Sequence, residues 1–347
     1  MAYQRYTTTT ILSMVEEMEP TRGFWTSLAF GNAVHFDTDT IEFDIRLGGK
    51  RVAPFVHPLS AAPTMQRRGF VTKNMKPAYV KMKDFVAPTD VLMRGAGEGY
   101  NNQQLSPQER MDRLMAQQLA EHDEMLSNRI EWMAAKAILD GKYTVTGDGY
   151  PTTVVDFDHP AVLNVALAGA ATWNNNTSSP IDDLENLAVS IRKESFGAVA
   201  DTVVMHTSAW QYFRKHSDVK DRMSTLIDTV NKTHLDIGVQ LDPVGTNYVG
   251  KLDGKLDVFV YDDWLNDDDG NNVQIMPVNT VVVMSRRALE GSQYYGAILD
   301  SQAGFQPLRM YSKSRSSFDP SGEELLSQSA PLVAPKRANT WGILNVA

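Results

Sequence analysis

The stretch from Ser106 to Asp140 constrains this chain more than any other, because it reads as one uninterrupted helix. At 1.5 Å per residue it would be about nine turns and about 50 Å long. Ser106, Pro107, Gln108 and Glu109 spell a capping box with proline at the first helical position, and Asp140-Gly141 supplies the residue best suited to a left-handed C-cap. Between them Met111, Leu114, Met115, Leu119, His122, Met125, Leu126, Ile130, Met133 and Ala137 recur at three- and four-residue spacing, forming a stripe. The opposite face, with Arg110, Asp112, Arg113, Gln117, Glu121, Asp123, Glu124 and Arg129, should stay wet or meet a neighbour. A helix this long serves as a coiled coil, a membrane span or a structural spine, and charges every few residues exclude the membrane.

The chain has 347 residues, 42% of them hydrophobic, enough for a sizeable core and for two domains. It has no cysteine, so disulfides, thiolate metal sites and cysteine nucleophiles are all excluded. The start, MAYQRYTTTT, lacks the basic and apolar pattern of a secretory leader, and the apolar-rich run AVLNVALAGAA is too short to span a bilayer. The net charge of −9 argues against general affinity for nucleic acid. Its distribution says more. From Arg46 to Lys83 the segment carries Arg46, Lys50, Arg51, Arg67, Arg68, Lys73, Lys76, Lys81 and Lys83 and no acid, a local +9, so the rest of the chain carries −18. One segment thus complements the rest of its own chain, or another copy of it.

Residues 7–19 form an amphipathic arm helix ended by Pro20, and IEFDIRL at 41–47 alternates as a strand before the turn Gly48-Gly49. The basic stretch that follows contains two halves, 51–59 and 70–86, able to pair as an irregular hairpin. An isolated ribbon is marginal in water, so it needs a surface to lie on. Residues 90–104 are a linker rich in Gly and Asn. After the long helix, GKYTVTGDGYPTTVVDFD gives a hairpin around Gly-Asp-Gly, and residues 161–180 make a crossing between lobes. A mixed α/β lobe follows: a helix from Ser179-Pro180, a strand at 199–206, a helix at 208–216, another near 218–230, and strands at 256–261 and 279–284. The apolar tail Trp341, Ile343, Leu344 and Val346 should return to the layer holding the long helix.

Little chemistry survives inspection. There is no phosphate loop, no paired zinc histidines and no nucleophile elbow. GAGEG at 95–99 follows no buried strand and is read as linker. The acidic run Asp262, Asp263, Asp267, Asp268, Asp269 before Gly270 fails the calcium-loop register, because Leu265 and Met276 fall on ligand positions, and reads as a hairpin tip. His122 on the helical stripe and His206 at a strand end are read as satisfied core or interface residues. A hydrolase using Ser208, His206 and Asp201 fails because Asp201 and His206 are five positions apart on one strand and point to opposite faces. No catalytic residue, cofactor or metal is expected.

Taken in order, these pieces resemble the major capsid protein of tailed double-stranded DNA bacteriophages, in its lambda-type branch. TTTTIL near the start, PAYVK in the ribbon, AILDGKYTVTG after the helix, PIDDLEN, AWQYFRKHSDVKDR and SQSAPL are similar in wording and occur in the family's order. The resemblance implies an α+β capsid fold of the tailed-phage and herpesvirus type: an N-terminal arm (1–40), an extended basic hairpin or E loop (41–90), a peripheral domain (91–172) with spine helix 106–140, an axial domain (173–317), and a C-terminal return to the peripheral domain (318–347). It implies a structural subunit, not an enzyme, that builds hexamers and pentamers of an icosahedral head around DNA enclosed without sequence-specific binding. Assembly in the host cytoplasm, a separate scaffold protein, a portal and a decoration protein belong to the same expectation, with no membrane partner. The nine cations above, with Glu121, Asp123 and Glu124 on the spine, become candidates for contacts between subunits. Lysine to asparagine crosslinking, for which Asn339 would be the candidate, is not expected. A bacterial nanocompartment shell is the alternative within the fold.

Overall fold

The computed structural model describes residues 11, 23–38, 40–46, 53, 55–57, 61, 64, 70–93, 106–147, 149–220, 246–252, 254–266 and 270–347. The linker 95–99, most of the arm helix and most of the proposed helix near 218–230 lie outside these. Ile11 is helical and buried, and residues 217–220 are helical.

The long helix is α3, Pro107–Leu139, after the short helices α1, Phe24–Ala29, and α2, Pro88–Leu92. Both ends form as their residues dictate. The Ser106 hydroxyl accepts from the Glu109 N–H, the Glu109 carboxylate accepts from the Ser106 N–H at 2.6 Å, and Gly141 takes φ +65. The stripe is buried from Met111 to Ala137 except Leu114, half-buried, and Met125, 58% exposed. At 100° per residue these two fall on the rim of the stripe, where spacing alone does not separate inside from outside. Toward its C-terminus the helix is enclosed on most sides, with Ala134, Ala135, Ala137 and Ile138 all buried.

Two layers flank it. On one side β4 (Val80–Val86), β15 (Tyr311–Ser317) and β16 (Gly322–Ser329) form an antiparallel sheet in the order β15-β16-β4. Beside it β1 (Asn32–His35), β14 (Ser292–Tyr295) and β17 (Pro331–Ala334) form a second three-stranded sheet. On the other side stands a six-stranded sheet. Its order is β7 (Asn164–Ala166), β18 (Trp341–Asn345), β13 (Thr280–Met284), β8 (Thr202–His206), β10 (Leu256–Tyr261) and β9 (Thr246–Leu252). The central strands TVVVM and TVVMH are buried at every residue, as expected of strands covered on both faces. Val203, Met205, Val281 and Val283 pack with helices α4 (Pro180–Glu194) and α5 (Thr207–Lys215), while Val204, Val282 and Met284 belong to the core shared with α3.

Two expectations are corrected. The basic hairpin pairs β2 (Ile41–Arg46) with β3 (Phe70–Met75), not 51–59 with 70–86, and β4 leaves it to join the β16 sheet. Alternation marks a strand but names no partner, and Pro77 separates β3 from β4. The tail does not lie along α3 as a strand: β18 enters the six-stranded sheet beside β13, Ile343 packs against the core shared with α3, and Trp341 Nε1 donates to the Ile138 carbonyl at 2.8 Å. Within 161–180, β7 pairs with β18, and β14 and β15 lie in the two three-stranded sheets. The hairpin β5 (Lys142–Gly147) and β6 (Tyr150–Asp156) turns at Gly149, φ +69, as its sequence dictates. Of the acidic run, Asp262 and Asp263 precede β11 (Trp264–Asn266), which pairs with β12 (Asn272–Gln274) as an antiparallel hairpin, and 267–269 lie outside the described residues.

Candidate self-association surface

The candidate contact residues divide by what the fold does with each. On β4 alternate side chains point oppositely: Met82 and Val86 are buried toward the core, while Lys81 and Lys83 are exposed. β4 is an edge of its sheet, where lysines also guard against uncontrolled strand pairing. Lys83 Nζ meets Glu324 Oε1 at 2.8 Å on the neighbouring strand, an exposed pair of small energetic weight. Lys81 Nζ lies 5.3 Å from the Tyr79 ring centroid, whose hydroxyl donates to Gln328 and accepts from the Leu299 N–H. Lys76 is exposed ahead of β4. Arg46 and Lys73 lie on the β2-β3 ribbon; Lys50, Arg51, Arg67 and Arg68 lie outside the described residues.

On the spine, Glu121 and Glu124 are exposed together with Ala116, Gln117, Ala120 and Met125, an outward band that mixes acid with apolar surface. Asp123 departs from its assignment to the wet face. It is 4% exposed and pairs with Arg309, whose second guanidinium nitrogen donates to Ser127 at 2.9 Å. Arg309 comes from the loop before β15, which sequence spacing could not place against the helix. His122 is a satisfied core residue, as expected. Its Nδ1 lies 2.8 Å from Ser327 Oγ and its Nε2 3.0 Å from Asp84 Oδ2, with Ser312 bonded to Ser327 in turn. This buried network fastens β4 and β16 to the helix.

The sequence reading missed Glu131. Its carboxylate, 4% exposed, accepts from the N–H of Trp25 at 2.7 Å and of Thr26 at 2.9 Å, and from the Thr26 hydroxyl. It thus satisfies the free N–H groups that open α1. Burial nonetheless pushes this carboxyl above the usual carboxylate range, more than the three hydrogen bonds lower it. A Cβ on Gly23 would stand 2.0 Å from the Glu131 carboxylate, so glycine is what permits the approach. Phe24 stacks on Tyr261 with centroids 4.9 Å apart, and Trp25 meets the same ring edge-on at 5.7 Å. The root of the N-terminal arm is therefore wedged between the spine and β10. An acid on the apolar side of the helix, among Ile130, Ala134, Ala135 and Ile138, was the available signal.

The hydrolase reading gains no support. Asp201 sits at the start of β8, bonded to Thr202 and to the Arg286 N–H. His206 Nδ1 does lie 2.7 Å from Ser208 Oγ, and Asp262 Oδ1 lies 3.7 Å from Nε2. The contact is local capping: the Ser208 N–H donates to the same ring nitrogen, His206 is the N-cap of α5, and Ser208 Oγ accepts from the Asn279 N–H. A cleft of about 540 Å3 lies elsewhere, lined by Trp132, Lys136, Tyr143, Asn164 and Ile343 between the spine and the six-stranded sheet. Among the described residues no cluster of potential ligands could hold a metal, and no helix is long and apolar enough to cross a membrane.

This geometry has close parallels. Residues 7–346 match the model of the family described as phage major capsid protein E. The chain is 28% identical to the major capsid protein of Escherichia phage N15 over 338 residues, covering 94% of this chain and 95% of that one. It is 27% identical to the major capsid protein of Escherichia phage lambda over 335 residues, with the same coverage. A crystal structure described as a prophage capsid protein of E. coli CFT073 superposes with a TM-score of 0.76 at 22% identity, covering 99% of this chain and all of that one.

Proposed function

Since this chain belongs to the phage major capsid protein E family, and is thus a structural subunit of a tailed-phage head shell, we propose that its copies are joined by laying the basic ribbon of one on the spine of the next. The single observation that supports this is the segregation of charge: nine cations and no acid between Arg46 and Lys83, against −18 on the remainder. Lys76, Lys81 and Lys83 are exposed, as are Glu121 and Glu124 on the outward band of the spine. Oppositely charged surfaces set register and suppress wrong pairings, and contacts modest alone are multiplied around a closed lattice.

In this reading the arm, E loop, peripheral and axial parts act as one tile. Tiles gather into hexamers and pentamers of an icosahedral shell, in the host cytoplasm, with scaffold, portal and decoration proteins as partners. An acidic subunit suits a wall that encloses DNA without gripping it, because few phosphate counterions would be released on it.

Negative-stain electron microscopy of the protein, produced with and without the genes beside its own, tests the reading. Closed shells, tubes or hexamer sheets are expected, and their dependence on the added genes identifies a scaffold requirement. Only monodisperse monomers in both preparations would overturn it.

A further inference from the structure

Two strand edges border the cleft between the spine and the six-stranded sheet, and neither has a strand beside it. β7 ends the order of the six-stranded sheet, bonded to β18 on one side only, and Asn164, Val165 and Ala166 are all exposed. β5 pairs with β6 alone, in a two-stranded sheet of its own. Among the described residues no strand pairs with the outer edge of either. Each edge therefore presents backbone N–H and C=O groups that its own sheet does not use. The cleft of about 540 Å3 has Asn164 of β7 and Lys142, Tyr143 and Thr144 of β5 in its wall. That volume falls among sites of about 300–1,000 Å3 that enclose a ligand.

The floor of the cleft is apolar and fixed in place. Leu139 and Tyr143 are buried, and Trp132 and Ile343 are half-buried. The Tyr143 hydroxyl donates to the Val333 carbonyl at 3.1 Å, and the Trp132 ring meets the Tyr143 ring edge-on with centroids 6.5 Å apart. The rim is basic. Lys136 and Lys142 stand on it, and the Arg129 guanidinium lies 5.6 Å from the centroid of the Trp132 ring. The one acid in the wall, Asp140, is already engaged by Lys136 at 3.0 Å. Lys142 is exposed and meets no carboxylate among the described residues. On a chain of net charge −9, a cleft with an excess of cations runs against the average.

We propose that this cleft is a docking site for an extended acidic segment of a partner protein, which enters as an added strand along β5 and β7. Its backbone uses the free edges, as in strand addition to any exposed sheet edge. Strand side chains alternate, so one set carries apolar groups to Trp132, Leu139 and Ile343 while the other brings carboxylates to Lys142 and Lys136. Seated there, the segment touches the spine, the hairpin after it and the six-stranded sheet at once, and favours the arrangement of layers in which all three contacts are made. The site is separate from the basic ribbon and does not depend on how copies of the chain join. A lysine on a free edge can also serve only to prevent pairing. That role excludes every strand alike, whereas a docking site selects the acidic one.

The probe is a fluorescein-labelled heptapeptide of alternating glutamate and valine, titrated with the full chain by fluorescence anisotropy. It should bind at least ten-fold more tightly than the same peptide with lysine for every glutamate, and than one with proline for its central valine, which lacks a backbone donor. Lys142→Glu should weaken binding at least ten-fold and leave the unfolding temperature within a few degrees of the parent, because Lys142 is exposed. Amide hydrogen exchange with the glutamate peptide bound should slow at 142–144 and 164–166. Equal binding of the acidic and basic peptides, indifference to the proline or to Lys142→Glu, or slowed exchange confined to the ribbon at 70–86 overturns the site. Self-association that Lys142→Glu abolishes and the peptide does not disturb would give these edges to a second copy instead, and overturns it too.

Discussion

Glu131 shows how one side chain can tie a terminal segment to the middle of the fold. Trp25 and Thr26 are more than a hundred residues from it in sequence, yet their N–H groups and the Thr26 hydroxyl are spent on its carboxylate. Burial raises this carboxyl's proton affinity, with Asp263 adding to the effect and the three donors opposing it. The folded chain then binds this proton more tightly than the unfolded one. From the ordinary carboxyl range up to the raised value, the contribution to stability falls as pH rises. Glu131→Gln cannot titrate, so the melting temperature of the parent minus that of the variant should be larger at pH 5 than at pH 7. An equal difference at both pH values would show that the donors, not burial, set the proton affinity. No periodicity in the sequence pairs Gly23 with Glu131, whereas His122, sitting on the apolar stripe, was legible as a satisfied core residue. The difference is one of range: a stripe is a local pattern, and a buried acid's partners can come from anywhere.

The same contrast holds between elements. The spine helix was legible to within a residue at each end because its signals are local: Ser106 and Glu109 cap each other, and Gly141 stops the helix. The partners of strands were not. Alternation marks the strand at 41–47, but whether β4 pairs with the ribbon or with β16 is decided by Met82 and Val86 burying against the core. An apolar tail could likewise join either layer, and backbone pairing with β13 drew it to the six-stranded sheet. The spine's role as the element on which both layers rest leads to a direct test. Ala116 is exposed on α3, so Ala116→Pro changes no buried contact but removes one backbone hydrogen bond and clashes with the preceding turn. The cost should be about 3 kcal/mol. Circular dichroism should show a lowered unfolding temperature; an unchanged one would contradict a continuous helix through this point.

At the scale of the whole molecule, burial and charge divide the work. Apolar contact around α3 holds the subunit together, while Lys76, Lys81 and Lys83, the cations of the basic segment with described side chains, are exposed. The sequence made the segregation of charge visible through counting alone, but it could not show that Asp123 is taken up by Arg309 inside the subunit, which leaves Glu121 and Glu124 as the exposed acids of that part of the spine. Lys81 and Lys83 are exposed on an edge strand, so reversing both to Glu tests assembly with little effect on folding. Within the subunit, Lys83→Glu trades an exposed pair with Glu324 for an exposed like-charge contact, an effect below about 1 kcal/mol. Between subunits the same reversal recurs at every copy of the contact in a closed lattice, so a small local penalty becomes a large collective one. The Lys81→Glu, Lys83→Glu chain should unfold within a few degrees of the parent yet form no regular shells in negative stain. Lys81→Arg with Lys83→Arg should assemble as the parent does. Normal shells from the Glu chain would show that the ribbon's charge on β4 does not join the copies, and would leave apolar contact alone to hold the lattice.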